Sequence, residues 1–73
     1  MTRIHVSMLF KGRKGKADLT FLKDLHLPNP DALEIETAIL SIPFINAAEA
    51  RGLTLACYDW HIAAEEQDAP TAN

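Results

Sequence analysis

Cys57 and His61 are the two residues of this 73-residue chain whose types best suit a nucleophile and its base. Their spacing excludes the pairing, because four residues along an extended strand put them ~13 Å apart on one face, far beyond hydrogen-bond reach. Cys57 is also the only cysteine, so the chain has neither an internal disulfide nor a thiolate pair for zinc. His5, His26 and His61 fall in three separate segments, and His26 and His5 are followed by no ligand-spaced cluster of Asp, Glu or Cys. They are expected to be surface imidazoles and not metal ligands. No cofactor signature is present, and the expectation is a protein that is not an enzyme.

Charge is more informative. The first sixteen residues carry five basic side chains, Arg3, Lys11, Arg13, Lys14 and Lys16, and no acid; the other 57 carry two basic residues and all ten acids. The net charge of −3 thus conceals a head of about +5 and a body of about −8, two surfaces that attract different partners.

The elements that must position these groups follow from hydrophobic period and turn chemistry. Ile4, Val6, Met8 and Phe10 alternate with Arg3, His5, Ser7 and Leu9, the period of a half-buried strand. Lys11-Gly12-Arg13-Lys14-Gly15-Lys16 then reads as a hairpin loop, two glycines among four solvated charges. Its GxxG spacing is that of some RNA-gripping loops, but those join helices, whereas both flanks here alternate as strands. A second strand runs from about Asp18 to Leu27, with Leu19, Phe21, Leu25 and Leu27 in phase and Lys23 out of character. Pairing Ile4, Val6, Met8 and Phe10 beside Leu19, Phe21 and Leu25 gives one apolar face; slipping by one residue would substitute Asp18, Thr20, Asp24 and His26. In that register His5 lies across from Asp24 and Arg3 from His26, a polar ladder of the kind that stabilises sheets.

Asn29, Pro30 and Asp31 read as N-cap, first helical residue and first-turn acid. Ile35, Ala38, Ile39 and Ile42 share one side of the helix, and Leu33 with Leu40 lie nearly opposite, which predicts burial of two sides. A strand over Leu33 to Ile42 is the competing assignment. Pro43 breaks or kinks the helix, with Ser41 or Ile42 capping a second segment from Phe44 to Arg51 that stops at Gly52. Leu53 to Ile62 is a third strand: Leu53, Leu55 and Cys57 on one face, Thr54, Ala56, Tyr58, Trp60 and Ile62 on the other. Residues 63–73 are small, polar and acidic and are expected to form a disordered tail, leaving one domain over 1–62.

The expected fold is α+β, a small two-layer sandwich with a three-stranded antiparallel sheet, element order β-β-α-β, and a kinked or broken helix on one face. If Leu53, Leu55 and Cys57 face the helix, Tyr58 and Trp60 join Leu9 and Leu22 on the uncovered face as a partner-binding or homodimer surface. Lys11, Arg13, Lys14 and Lys16 supply an electrostatic contact. The leading expectation is a small cytoplasmic interaction protein that binds and regulates or inhibits a larger protein, a job common among the single-domain inhibitors of phage-like genomes. Nucleic-acid binding through the basic loop and the aromatic face is the alternative, disfavoured because the acidic body repels a polyanion within a Debye length. A third reading has Glu34, Glu36, Asp59, Glu65, Glu66 and Asp68 imitate a phosphate backbone. No run approaches the roughly 18 apolar residues of a membrane span, and the N-terminus lacks the apolar stretch of a signal peptide.

Overall fold

The alternating N-terminal segment becomes the middle of the sheet. A computed structural model describes residues 1–65, with β1 at Thr2–Gly12, β2 at Leu19–Leu27, α1 at Ala32–Leu40, α2 at Phe44–Ala50 and β3 at Leu53–Glu65. This is the expected small α+β fold in the order β-β-α-β, its two helical segments forming one helix bent by 37°. Strand order, which the sequence left open, is β2-β1-β3. Both outer strands run antiparallel to β1 and so parallel to each other, which requires the helical segment to cross β1 on one face of the sheet.

Ile4, Val6, Met8 and Phe10 are all 0% exposed, and each such side chain contributes roughly 1.5–3 kcal/mol by leaving water. Ile35, Ile39, Ile42 and Ala48 close over them from the helix side. Phe44 locks the layers together, stacking on Phe21 at 4.1 Å and meeting Phe10 edge-on at 5.4 Å. The β1–β2 register is the expected one, with Ile4 opposite Leu25, Met8 opposite Phe21 and Phe10 opposite Leu19. Lys23 falls opposite Val6 on the helix side, yet it stays exposed because β2 is an edge strand. A charge there discourages pairing with another chain.

The hairpin turns at Arg13–Lys16, where the Lys16 N–H donates to the Arg13 carbonyl at 3.1 Å. Lys14 and Gly15 both have positive φ, 55° and 85°, as a type I′ turn requires. Asp18 clamps the neck: its carboxylate accepts from the Gly12 N–H at 3.0 Å and from Lys11 Nζ at 2.8 Å. At the other end of the sheet the buried Thr2 hydroxyl donates to Glu65 at 2.7 Å.

The segment that competed as a strand, Leu33 to Ile42, is helix through Leu40, with Ser41 and Ile42 outside it. The N-cap is Asp31 instead of Asn29: its side chain accepts from the Glu34 N–H at 2.8 Å while Glu34 Oε1 accepts from the Asp31 N–H at 2.9 Å. This reciprocal capping box satisfies two donors that Asn29, placed before Pro30 with φ 42°, leaves alone. Ser41 ends α1 as its C-cap and does not start α2; Pro43 occupies the N-cap position of α2 without a side-chain hydrogen bond. The two-sided burial expected of α1 is also corrected. Leu33 and Leu40 are 73% and 55% exposed, because the sheet lies on one side of the helix and no other layer among the described residues covers its back.

The largest correction concerns β3. Leu9 pairs with Cys57 but Phe10 pairs with Leu55, so Ala56 is an extra residue, a β-bulge. A second shift between Arg3 and Ile4 makes Ala63 extra as well. The bulge at Ala56 changes the phase of the strand: Leu53 and Leu55 face the helix before it, and Tyr58, Trp60 and Ile62 face the helix after it, opposite Met8, Val6 and Ile4. The strand runs three residues past the expected end at Ile62. Of the expected tail, Ala63 to Glu65 are therefore strand, and residues 66–73, with Glu66 and Asp68, lie outside the described residues.

Candidate functional site: an open sheet face and a basic basin

With Leu53, Leu55, Tyr58, Trp60 and Ile62 of β3 drawn to the helix side, the uncovered face is built mainly by the odd residues of β1 and their neighbours. Rows run across the three strands. Arg3 has His26 on one side and Ala64 on the other; His5 has Asp24 and His61; Ser7 has Leu22 and Asp59; Leu9 has Thr20 and Cys57. On the outer strands His26, Asp24, Leu22, Thr20, Cys57, Asp59 and His61 are all exposed.

Polar groups on this face are organised. Asp24 takes a 2.8 Å hydrogen bond from His5 Nδ1 and a longer 3.5 Å contact from Arg3. A carboxylate oxygen only accepts, so Nδ1 of His5 is the donor in this bond. The His5 bond is the main influence holding the Asp24 carboxyl below its ordinary value of 3.8, with a smaller share from Arg3. His61 packs beside His5 with ring centres 5.3 Å apart. Among the described residues no group of three or more His, Cys, Asp or Glu is arranged to hold a metal ion. Cys57 and His61 share the face four residues apart, as the sequence indicated, and cannot act as a dyad.

The site residues expected from sequence divide. Leu9 and Leu22 are on the open face, half-buried and 59% exposed respectively. Tyr58 and Trp60 are not: both are partly buried and packed against the core. The bulge at Ala56 is the physical reason, and its signal was present in the sequence as the three-residue step from Leu55 to Tyr58 between two otherwise alternating apolar runs.

The basic set divides too. Lys11 points to the open side of β1 and is paired with Asp18, a bond that holds the Asp18 carboxyl below its ordinary value of 3.8 and raises the Lys11 ammonium above 10.5. Arg13, Lys14 and Lys16 belong instead to a shallow basin of about 540 Å³ at the loop end of the molecule, which they line with Glu49, Arg51 and Gly52. Arg51 was missed by sequence reasoning, since it lies 35 residues along the chain from Lys16. What joins them is a backbone bond from the Arg13 N–H to the Gly52 carbonyl, 3.0 Å.

The acids proposed as a phosphate mimic are dispersed. Glu34 is in the capping box of α1, Asp59 on the open face accepting from the Trp60 N–H, and Glu65 at the far end of the sheet with Thr2. No helix among the described residues is long and apolar enough to cross a membrane. Compared with known proteins, the chain matches no family model, no curated protein and no solved structure.

Proposed function

We propose that this protein is a small interaction protein that works by occupying a surface on a larger protein, regulating or inhibiting it without catalysing a reaction. The observation that carries this reading is the one-sided covering of the sheet: among the described residues, a full three-strand face, with Leu22 and Leu9 at its centre and the Arg3, His5, Asp24 and His61 rows beside them, has no layer over it. A continuous face of this kind presents both apolar area and fixed hydrogen-bonding groups, which suits docking by shape and polarity together. The exposed Leu33 and Leu40 on the back of α1 are single side chains a heptad apart, an ordinary feature of protein surfaces.

The test is affinity capture with three versions of the chain: the parent, Leu22→Asp and Leu33→Asp. Both substitutions are at exposed positions and are expected to change stability by no more than about 0.5 kcal/mol. A protein retained by the parent and by Leu33→Asp but lost from Leu22→Asp supports the proposal. Loss from Leu33→Asp alone would move the interface to the helix, and retention by all three would remove the open face from consideration.

A further inference from the structure

We infer that the basin at the loop end is a binding site for a compact multivalent phosphate group, such as the oligophosphate of a small molecule. Its charge is the first reason. Arg13, Lys14, Lys16 and Arg51 face one acid, Glu49, and none of the four cations forms an ion pair with a described acid, whereas neighbouring Lys11 is already neutralised by Asp18. Together with Lys11 these residues account for five of the seven basic side chains of the sequence. The remaining two stand against ten acids, so the positive potential is confined to one end.

The second reason is that the basin is held in shape. The Arg13 to Gly52 backbone bond fixes the hairpin tip against the turn that follows α2. Gly52 has φ 85°, and a Cβ there would come within 3.1 Å of Lys16 Cε, so the Lys16 stem lies directly across the glycine. Arg51 is anchored by a 3.1 Å bond from Nη1 to the Ala47 carbonyl, which uses one donor and leaves the rest of the guanidinium fork available. Two guanidinium groups that can each bind oxygen pairs, joined by two lysine point charges, match phosphate oxygens better than a single carboxylate.

The third reason is extent. The volume of about 540 Å³ falls in the range of small-ligand sites. An extended nucleic-acid backbone that continued past the basin would meet a chain whose other residues are net acidic, and repulsion acts within about 10 Å. The site lies on the helix side at the loop end and is independent of the open face.

The experiment is calorimetric titration of the whole chain with inorganic tripolyphosphate at low salt, for the parent, Arg13→Ala and Lys14→Gly. The parent is expected to bind, with affinity falling as salt is raised. Arg13→Ala should weaken binding by about tenfold, the worth of one charge-assisted contact. Lys14→Gly is the decisive control: it removes a charge at a position with positive φ, so it should raise the melting temperature while weakening binding roughly threefold, opposite movements that a folding defect cannot produce. No binding at low salt, or binding unchanged in both variants, overturns the inference. A duplex or single-stranded oligonucleotide that binds more tightly than tripolyphosphate overturns it in favour of a nucleic-acid partner.

Discussion

The two faces of β1 are made by alternate residues of one eleven-residue strand, and they are built to different ends. Ile4, Val6, Met8 and Phe10 are fully buried beneath the bent helix, with every aromatic ring of β2 and β3 added to that side. Arg3, His5, Ser7 and Leu9, one residue away in each case, carry a ladder of imidazoles, carboxylates and a guanidinium with two leucines near the middle. In a domain of this size apolar area is scarce, and every buried hydrophobic side chain of the described residues belongs to one cluster on the helix side. Among the described residues the other face is left polar and uncovered, which separates the groups that fill the core from the groups that line the open surface.

The sharpest way to break that separation is to delete Ala56 and Cys57 together. Deleting Ala56 alone would leave Leu55, Cys57 and Tyr58 in strict alternation with Tyr58 still on the helix side, whereas deleting both joins Leu55 directly to Tyr58, so Tyr58 and Trp60 would turn to the open face. The loss of their burial should cost on the order of 5 kcal/mol, enough to unfold a domain of ordinary stability. Trp60 fluorescence should shift to the emission of a solvated indole. A double-deletion variant with parent-like emission and melting temperature would show that the phase of β3 does not control which face the aromatics take.

Adjacent residues make the next comparison. Phe10→Ala removes a fully buried ring that packs on Phe44 and should cost about 3–5 kcal/mol, whereas Leu9→Ala on the open face should cost about 1 kcal/mol or less. Urea denaturation midpoints measure both. Equal costs would mean that the two faces of β1 share the work of stability.

A smaller effect distinguishes the faces by pH. Asp24 on the open face and Asp18 at the hairpin neck both have carboxyls held below 3.8 in the folded chain. A depressed folded pKa contributes stability that is present above the unfolded value and is lost as pH falls through the folded one. Stability should therefore decline below about pH 4, and Asp24→Asn should flatten part of that decline, as followed by denaturation midpoints between about pH 5 and pH 2. Asp24→Asn with an unaltered acid profile would show that the His5 and Arg3 contacts add nothing to folding.

Much of this was legible in the sequence, and the parts that were not share a cause. The β1–β2 register followed from parity, because only one alignment makes a coherent apolar face. The same reasoning failed on β3, where Leu53, Leu55 and Cys57 and the alternate set from Thr54 to Ile62 both read as apolar. Parity cannot detect an inserted residue unless the phase of the pattern is followed from Leu55 to Tyr58. Asp31-x-x-Glu34 was a readable capping box, but Pro30 in the first-turn position drew the helix start two residues early. The exposure of Leu33 and Leu40 depends on how many layers the fold has, which a periodic stripe does not encode. Arg51 joins the basic loop only through a bond between turns distant in sequence, so local charge runs could not reveal it.

The central proposal is that a protein partner docks on the open face and not on the back of α1. Cys57 is the only cysteine of the chain, exposed and level with Leu9 on that face, so a photoactivatable crosslinker attached to its thiol samples whatever docks there. The comparison is the same crosslinker on a cysteine introduced as Leu40→Cys in a Cys57→Ser background. Irradiation in an extract of the native host should give a discrete adduct with one larger protein from Cys57 and none from the helix position. An adduct formed from the helix position alone, or no adduct from Cys57, would contradict the account.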